Sequence, residues 1–153
     1  AMRNSMFNPS QFLVRTKLCQ MVGGCDERVI HSQEYSLTLR LSRLGNFIKL
    51  NYPTAILPQS APGQISEKKN NQIFRVSKAL ELFINENTDL PMNIRLYAQR
   101  RLTARAWRFA RNKKIKSLYL KYFFFYLIGL LRINFQPSKV CRQANKIYEP
   151  FLD

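Results

Sequence analysis

Three of the nine carboxylates in this 153-residue chain of net charge +16 fall between Met21 and Leu41, next to its single His and its single Gly-Gly pair. A carboxylate within hydrogen-bond reach of a hydroxyl can take its proton as the hydroxyl oxygen attacks a carbon, and Glu34 is the acid we consider for that role. The plainer reading makes Glu34 a first-turn acid favoured by a helix dipole, with Ser32 as the N-cap. Asp26 lies two residues beyond Gly24, after Cys25, where an Asp commonly ties down a turn through its own side chain. Glu27 and Gln33 are further candidates for substrate contact. His31 reads as a polar loop residue, with hydrogen bonding to a substrate as its alternative. One His and three cysteines, with no Cys-x-x-Cys pair, leave no zinc site to expect. The odd thiol count also argues against a disulfide framework and for a reducing compartment.

The elements that must position these residues are short. FLVR (12–15) is strand-like, and TKLCQMV (16–22) fits one or two helical turns ended by Gly23-Gly24, where glycine supplies positive φ cheaply. SLTLRL (36–41) alternates like a strand, yet Leu37, Leu41 and Leu44 also share a helical face, and Gly45 suits a helix C-cap. NFIKL (46–50) and PTAIL (53–57) read as strands split by Tyr52-Pro53. Residues 58–72 are polar and carry Pro58, Pro62 and Gly63, which marks a loop or linker. The spacing beyond it predicts helices over 73–86, 92–112, 117–133 and 139–149, with Pro91 in the first turn of the second. Small residues on the face Ala98, Leu102, Ala106 and Phe109 imply close packing against a neighbouring helix.

Residues 1–63 hold seven Lys/Arg against three acids, and 64–153 hold eighteen against six. The excess points to an anionic partner for the second half. Arg101, Arg105 and Arg108 follow i, i+4, i+7 spacing, and Lys113 and Lys114 extend them. The run after them is apolar on every side over ten residues, Tyr122 to Leu131, against the roughly 20 needed to span a bilayer. A solvated face followed by a core helix is one reading. The other is a membrane-surface patch in which these five cations meet anionic head groups. Nucleic acid is the weakest of the candidate partners, because basic charge accompanies no recognition pattern.

The order Val22-Gly23-Gly24-Cys25-Asp26-Glu27, then His31-Ser32-Gln33-Glu34-Tyr35, then Leu37-Thr38-Leu39-Arg40-Leu41 resembles the acceptor half of family 2 glycosyltransferases. The resemblance covers residues 8–60, with Pro9 to Arg15 similar to the strand leading into this region. It implies a helix at SLTLRL, a general base at Glu34 where the family usually has Asp, and Asp26, Glu27, His31 and Gln33 around the acceptor. Position 33, often acidic in the family, is Gln.

A complete member begins with a nucleotide-binding half ending in Asp-x-Asp, which holds a divalent ion, Mg or Mn, on the diphosphate. These 153 residues contain no Asp-x-Asp and no Gly-rich phosphate loop. The expectation is therefore an α+β, mostly helical chain. Residues 1–62 would keep a small remnant of a GT-A-type sheet, two to three strands, and 63–153 would form a C-terminal helical bundle. The resemblance implies a fragment of a bacterial envelope-polysaccharide enzyme, with nucleotide-sugar and glycan or lipid-linked acceptor as substrates of the complete enzyme. No cofactor is expected in this chain, and an N-terminal glycosyltransferase half is its expected partner. Alone it is expected to be inactive, cytoplasmic and peripheral on the inner face of the membrane. The alternative is a non-catalytic basic helical module that binds an anionic membrane surface or a protein partner.

Overall fold

The computed structural model describes residues 2, 9–29, 32–56, 69–114, 116–131, 133 and 136–151. Among them lie a 3-10 turn at Pro9–Gln11, six α-helices and a closing 3-10 segment at Lys146–Phe151. The helices are α1 (Thr16–Met21), α2 (Gln33–Leu41), α3 (Lys69–Glu86), α4 (Met92–Asn112), α5 (Lys116–Leu130) and α6 (Pro137–Asn145). The chain divides into two compact units, residues 1–79 and 80–153, with the division inside α3.

The expected sheet remnant is overturned: no described residue forms a strand. FLVR, NFIKL and residues 53–56 are irregular backbone, with Leu13, Ile48 and Ile56 facing solvent. A β-branched or aromatic run becomes a strand only with a neighbour to pair with, and none is present among the described residues. SLTLRL is helical, as the resemblance implies and its alternation does not. The helix stops before Gly45: Leu41 is its last residue, and the Ser42 hydroxyl donates back to the Leu39 carbonyl at 2.6 Å. Most of the expected loop at 58–72 lies outside the described residues, but 69–72 already belong to α3.

In the first unit α2 is buried on nearly every side, at Tyr35, Ser36, Leu37, Thr38, Leu39 and Leu41. The Tyr35 hydroxyl donates to the Met2 carbonyl at 2.8 Å. Thr38 is fully buried, and its hydroxyl is satisfied by the Glu34 carbonyl at 2.6 Å.

The second unit is built around α4. Its expected apolar face, Ala98, Leu102, Ala106 and Phe109, is buried. α5 runs back antiparallel to it: Trp107 meets Tyr119, Phe123 and Tyr126, and nearer the start of α4 Thr103 and Arg100 lie against Gly129. A Cβ at Gly129 would sit 2.7 Å from Thr103 Oγ1 and 3.0 Å from Arg100 Cα, so only glycine permits this crossing. α6 lies along the other side of α4, with Arg95 donating to Ser138 Oγ at 3.1 Å and Phe109 meeting Tyr148 and Phe151 edge-on. From the last turns of α3, the buried Glu81 carboxylate accepts from Asn145 Nδ2 at 2.7 Å. No helix of the described residues is long and apolar enough to cross a membrane.

Candidate functional site

The glycine pair does two jobs at the end of α1. Gly23 and Gly24 both have positive φ, +76° and +65°. The Gly23 N–H donates to the Gln20 carbonyl at 3.0 Å and the Gly24 N–H to the Cys19 carbonyl at 2.9 Å. This pair of bonds is a Schellman cap, which requires the left-handed conformation at the first residue beyond the cap. The cap redirects the chain into the acidic segment.

Arg40, from the last turn of α2, reaches back 16 to 18 residues to this turn. Its Nη1 donates to the Val22 carbonyl and its Nη2 to the Gly24 carbonyl, the latter at 2.7 Å. One planar guanidinium thus grips the two carbonyls that bracket the first glycine, a fork geometry suited to Arg and not to Lys. The Gly-Gly and Leu-Arg-Leu portions of the motif are therefore two sides of one contact. Residue spacing alone did not reveal this role for Arg40. A cation five residues before Gly45, on a helix otherwise buried, was the available signal.

Asp26 is committed to its own turn. Its carboxylate accepts from the Arg28 backbone N–H at 3.1 Å, from Arg28 Nε at 2.9 Å and from Arg28 Nη2 at 2.8 Å. These bonds, chiefly the side-chain pair, hold the Asp26 carboxyl below the usual carboxylate range, with a smaller push from the nearby Arg40 charge. The Val29 N–H closes the turn on the Asp26 carbonyl at 3.0 Å, and Val29 is buried behind it.

Glu34 is the second residue of α2 and half-buried, while Gln33 before it and Glu27 are exposed. Ser32 occupies the N-cap position but makes no side-chain cap bond. Glu34 is thus an acid in the first turn of a helix whose last turn carries Arg40, the arrangement the helix dipole favours at both ends. His31 lies outside the described residues. No group of three His, Cys, Asp or Glu among the described residues converges as metal ligands.

The basic candidates separate. Arg101 and Arg105 are half-buried on α4, whereas Arg108, Lys113 and Lys114 are exposed. Arg108 Nε turns back to the Ala104 carbonyl at 3.3 Å. Lys113 lies over the rings of Phe109 and Phe151, at 5.8 and 5.2 Å, and Arg111 over Trp107 at 5.4 Å. Arg108, Arg111, Lys113 and Lys114 are exposed toward the end where the chain turns into α5, and Arg100 is exposed in the first half of α4. No protein family, curated protein or solved structure matches this chain.

Proposed function

We propose that residues 8–60 form the acceptor side of a family 2 glycosyltransferase, with Glu34 as the general base. In such a transfer the acceptor hydroxyl oxygen bonds to the anomeric carbon of a nucleotide-sugar as the bond from that carbon to the diphosphate breaks. The hydroxyl proton passes to a carboxylate. Glu34 takes that proton, and the exposed Glu27 and Gln33 hydrogen-bond acceptor hydroxyls. His31 belongs to the same segment. Asp26, engaged by Arg28, holds the turn.

The observation that supports this reading is the Arg40 grip on the Gly23-Gly24 turn. It ties the glycine turn to the helix that carries Glu34, so the separate pieces of the motif act as one rigid unit. Holding a base in place is where such a scaffold contributes to rate. The donor-binding half with Asp-x-Asp is supplied from outside these 153 residues, and without it the chain does not transfer sugar. Nucleotide-sugars are substrates of the cytoplasm, so the reading places the chain there, at the inner face of the membrane. DNA upstream of the coding region is expected to encode an Asp-x-Asp segment, in frame or in an adjacent gene. Its absence from both would overturn the assignment.

A further inference from the structure

From Tyr122 onward α5 is apolar around its whole circumference, but the second unit uses only part of it. Tyr119, Phe123 and Tyr126 face Trp107, Gly129 faces Thr103, and the Tyr122 hydroxyl reaches the Gln143 carbonyl at 3.4 Å. At 100° per residue, Leu120, Phe124, Leu127 and Leu131 fall together on the opposite side, within an arc of about 60°. Three of them are largely bare: Leu120 is 71% exposed, Phe124 64% and Leu131 68%. A continuous row of large apolar side chains left in water marks a binding surface.

The charge of this part of the chain favours one occupant. Between Leu90 and Tyr148 the chain has fourteen Lys/Arg and no Asp or Glu. Arg111, Lys113 and Lys114 are exposed at the turn into α5, and Lys121 is exposed beside Leu120. A second copy of the chain would set this cationic surface against itself. An anionic lipid surface satisfies both features, since phosphate head groups take the cations and the acyl boundary takes the apolar row. α5 has fifteen residues, a length of about 22 Å against a hydrocarbon core of about 30 Å, so it lies along the surface and does not cross it.

We infer that the outward face of α5 seats this chain on an anionic bilayer, with Leu120, Phe124 and Leu131 inserted and Lys113, Lys114 and Lys121 on the head groups. The inference stands apart from the role of Glu34. Its test is flotation of the 153-residue chain with phosphatidylcholine vesicles and with vesicles containing about one-third phosphatidylglycerol. Partition into the anionic vesicles is expected to exceed that into neutral ones by at least about tenfold and to fall with salt. Leu120→Glu with Phe124→Glu is expected to lower it at least about tenfold. Lys113→Gln with Lys114→Gln is expected to lower it by about fivefold per lysine. All four side chains are exposed, so the far-UV circular dichroism of both variants should match the parent. Partition independent of lipid charge, or a Glu double variant that floats like the parent, would overturn the proposal. So would a dimer in sedimentation that Phe124→Glu dissolves while no vesicle binding is seen, which would assign the face to a second copy.

Discussion

Replacing Arg40 with Met keeps the length of the side-chain stem and removes only the fork that holds the glycine turn. Two hydrogen bonds from a charged donor, to the carbonyls of Val22 and Gly24, are lost. Such bonds contribute about 1.5–3 kcal/mol each. Arg40 is half-buried, so water re-solvates part of the freed carbonyl surface, which brings the sum to the lower end of that range or somewhat below it. The expected cost is about 2–3 kcal/mol in total. Because the grip acts on the Schellman turn, the loss is local as well as global. The Gly23 and Gly24 N–H groups, bonded to Gln20 and Cys19, should exchange with solvent deuterium about 30-fold faster for a 2 kcal/mol loss of local stability. Arg40→Lys keeps the charge but lacks the planar fork that matches the two carbonyls, and should fall about midway. Urea unfolding and amide exchange measured on the same samples check both numbers. Exchange within about twofold of the parent, with stability within about 0.5 kcal/mol, would refute the idea that Arg40 joins the two parts of the motif.

Gly129→Ala places a Cβ against Thr103 Oγ1, which cannot move away easily because it is bonded to the Gln99 and Arg100 carbonyls at 2.9 and 3.1 Å. Overpacking of about 1–3 kcal/mol outweighs a helix-propensity gain of up to about 1 kcal/mol. A Gly129→Ala melting temperature at or above the parent's would contradict the close α4–α5 crossing. The lowered Asp26 pKa means that its contribution to stability is present above the ordinary carboxylate range and is lost as pH falls through the folded value. Parent and Asp26→Asn should therefore differ by about 1 kcal/mol or less at pH 6, since Arg28 is more than half exposed. Urea titrations should show that gap closing below about pH 4. Among the thiols, Cys25 is exposed, Cys19 half-buried, and Cys141 buried with its thiol pushed up to about 12. A disulfide reagent should label Cys25 first and Cys141 only on unfolding, and early Cys141 labelling would mean that the α4–α6 packing is wrong.

Several helices, chiefly in the second unit, were legible in the sequence because they carry their own signals. Pro91 and the 3.6-residue spacing of Ala98, Leu102, Ala106 and Phe109 mark α4, and Gly23-Gly24 marks the end of α1. The strands expected at 12–15, 46–50 and 53–57 rested on β-propensity, which describes a fit to a neighbouring strand and not a local preference. Alternation at 36–41 was misleading because α2 is buried on nearly all sides, so its inward positions carry no helical period. At the candidate site, Asp26 as a turn-former follows from its place after two glycines. The contacts of Arg40 with Val22 and Gly24 and of Gly129 with Thr103 were not legible, because each depends on how separate elements meet. The spacing of Arg101, Arg105 and Arg108 showed a stripe on α4 but could not show which side α5 and α6 would occupy.

If residues 8–60 are the acceptor side of a glycosyltransferase as proposed, the most direct measurement is sugar transfer by this chain together with the proposed Asp-x-Asp half, comparing Glu34→Gln with the parent. Gln keeps the size and hydrogen-bonding shape of Glu34 and cannot accept the acceptor proton. The account predicts that kcat falls by about 10²–10⁴-fold while the Kd for nucleotide-sugar stays unchanged. Transfer at the parental rate would contradict it, and Glu34 would then be only the first-turn acid of α2.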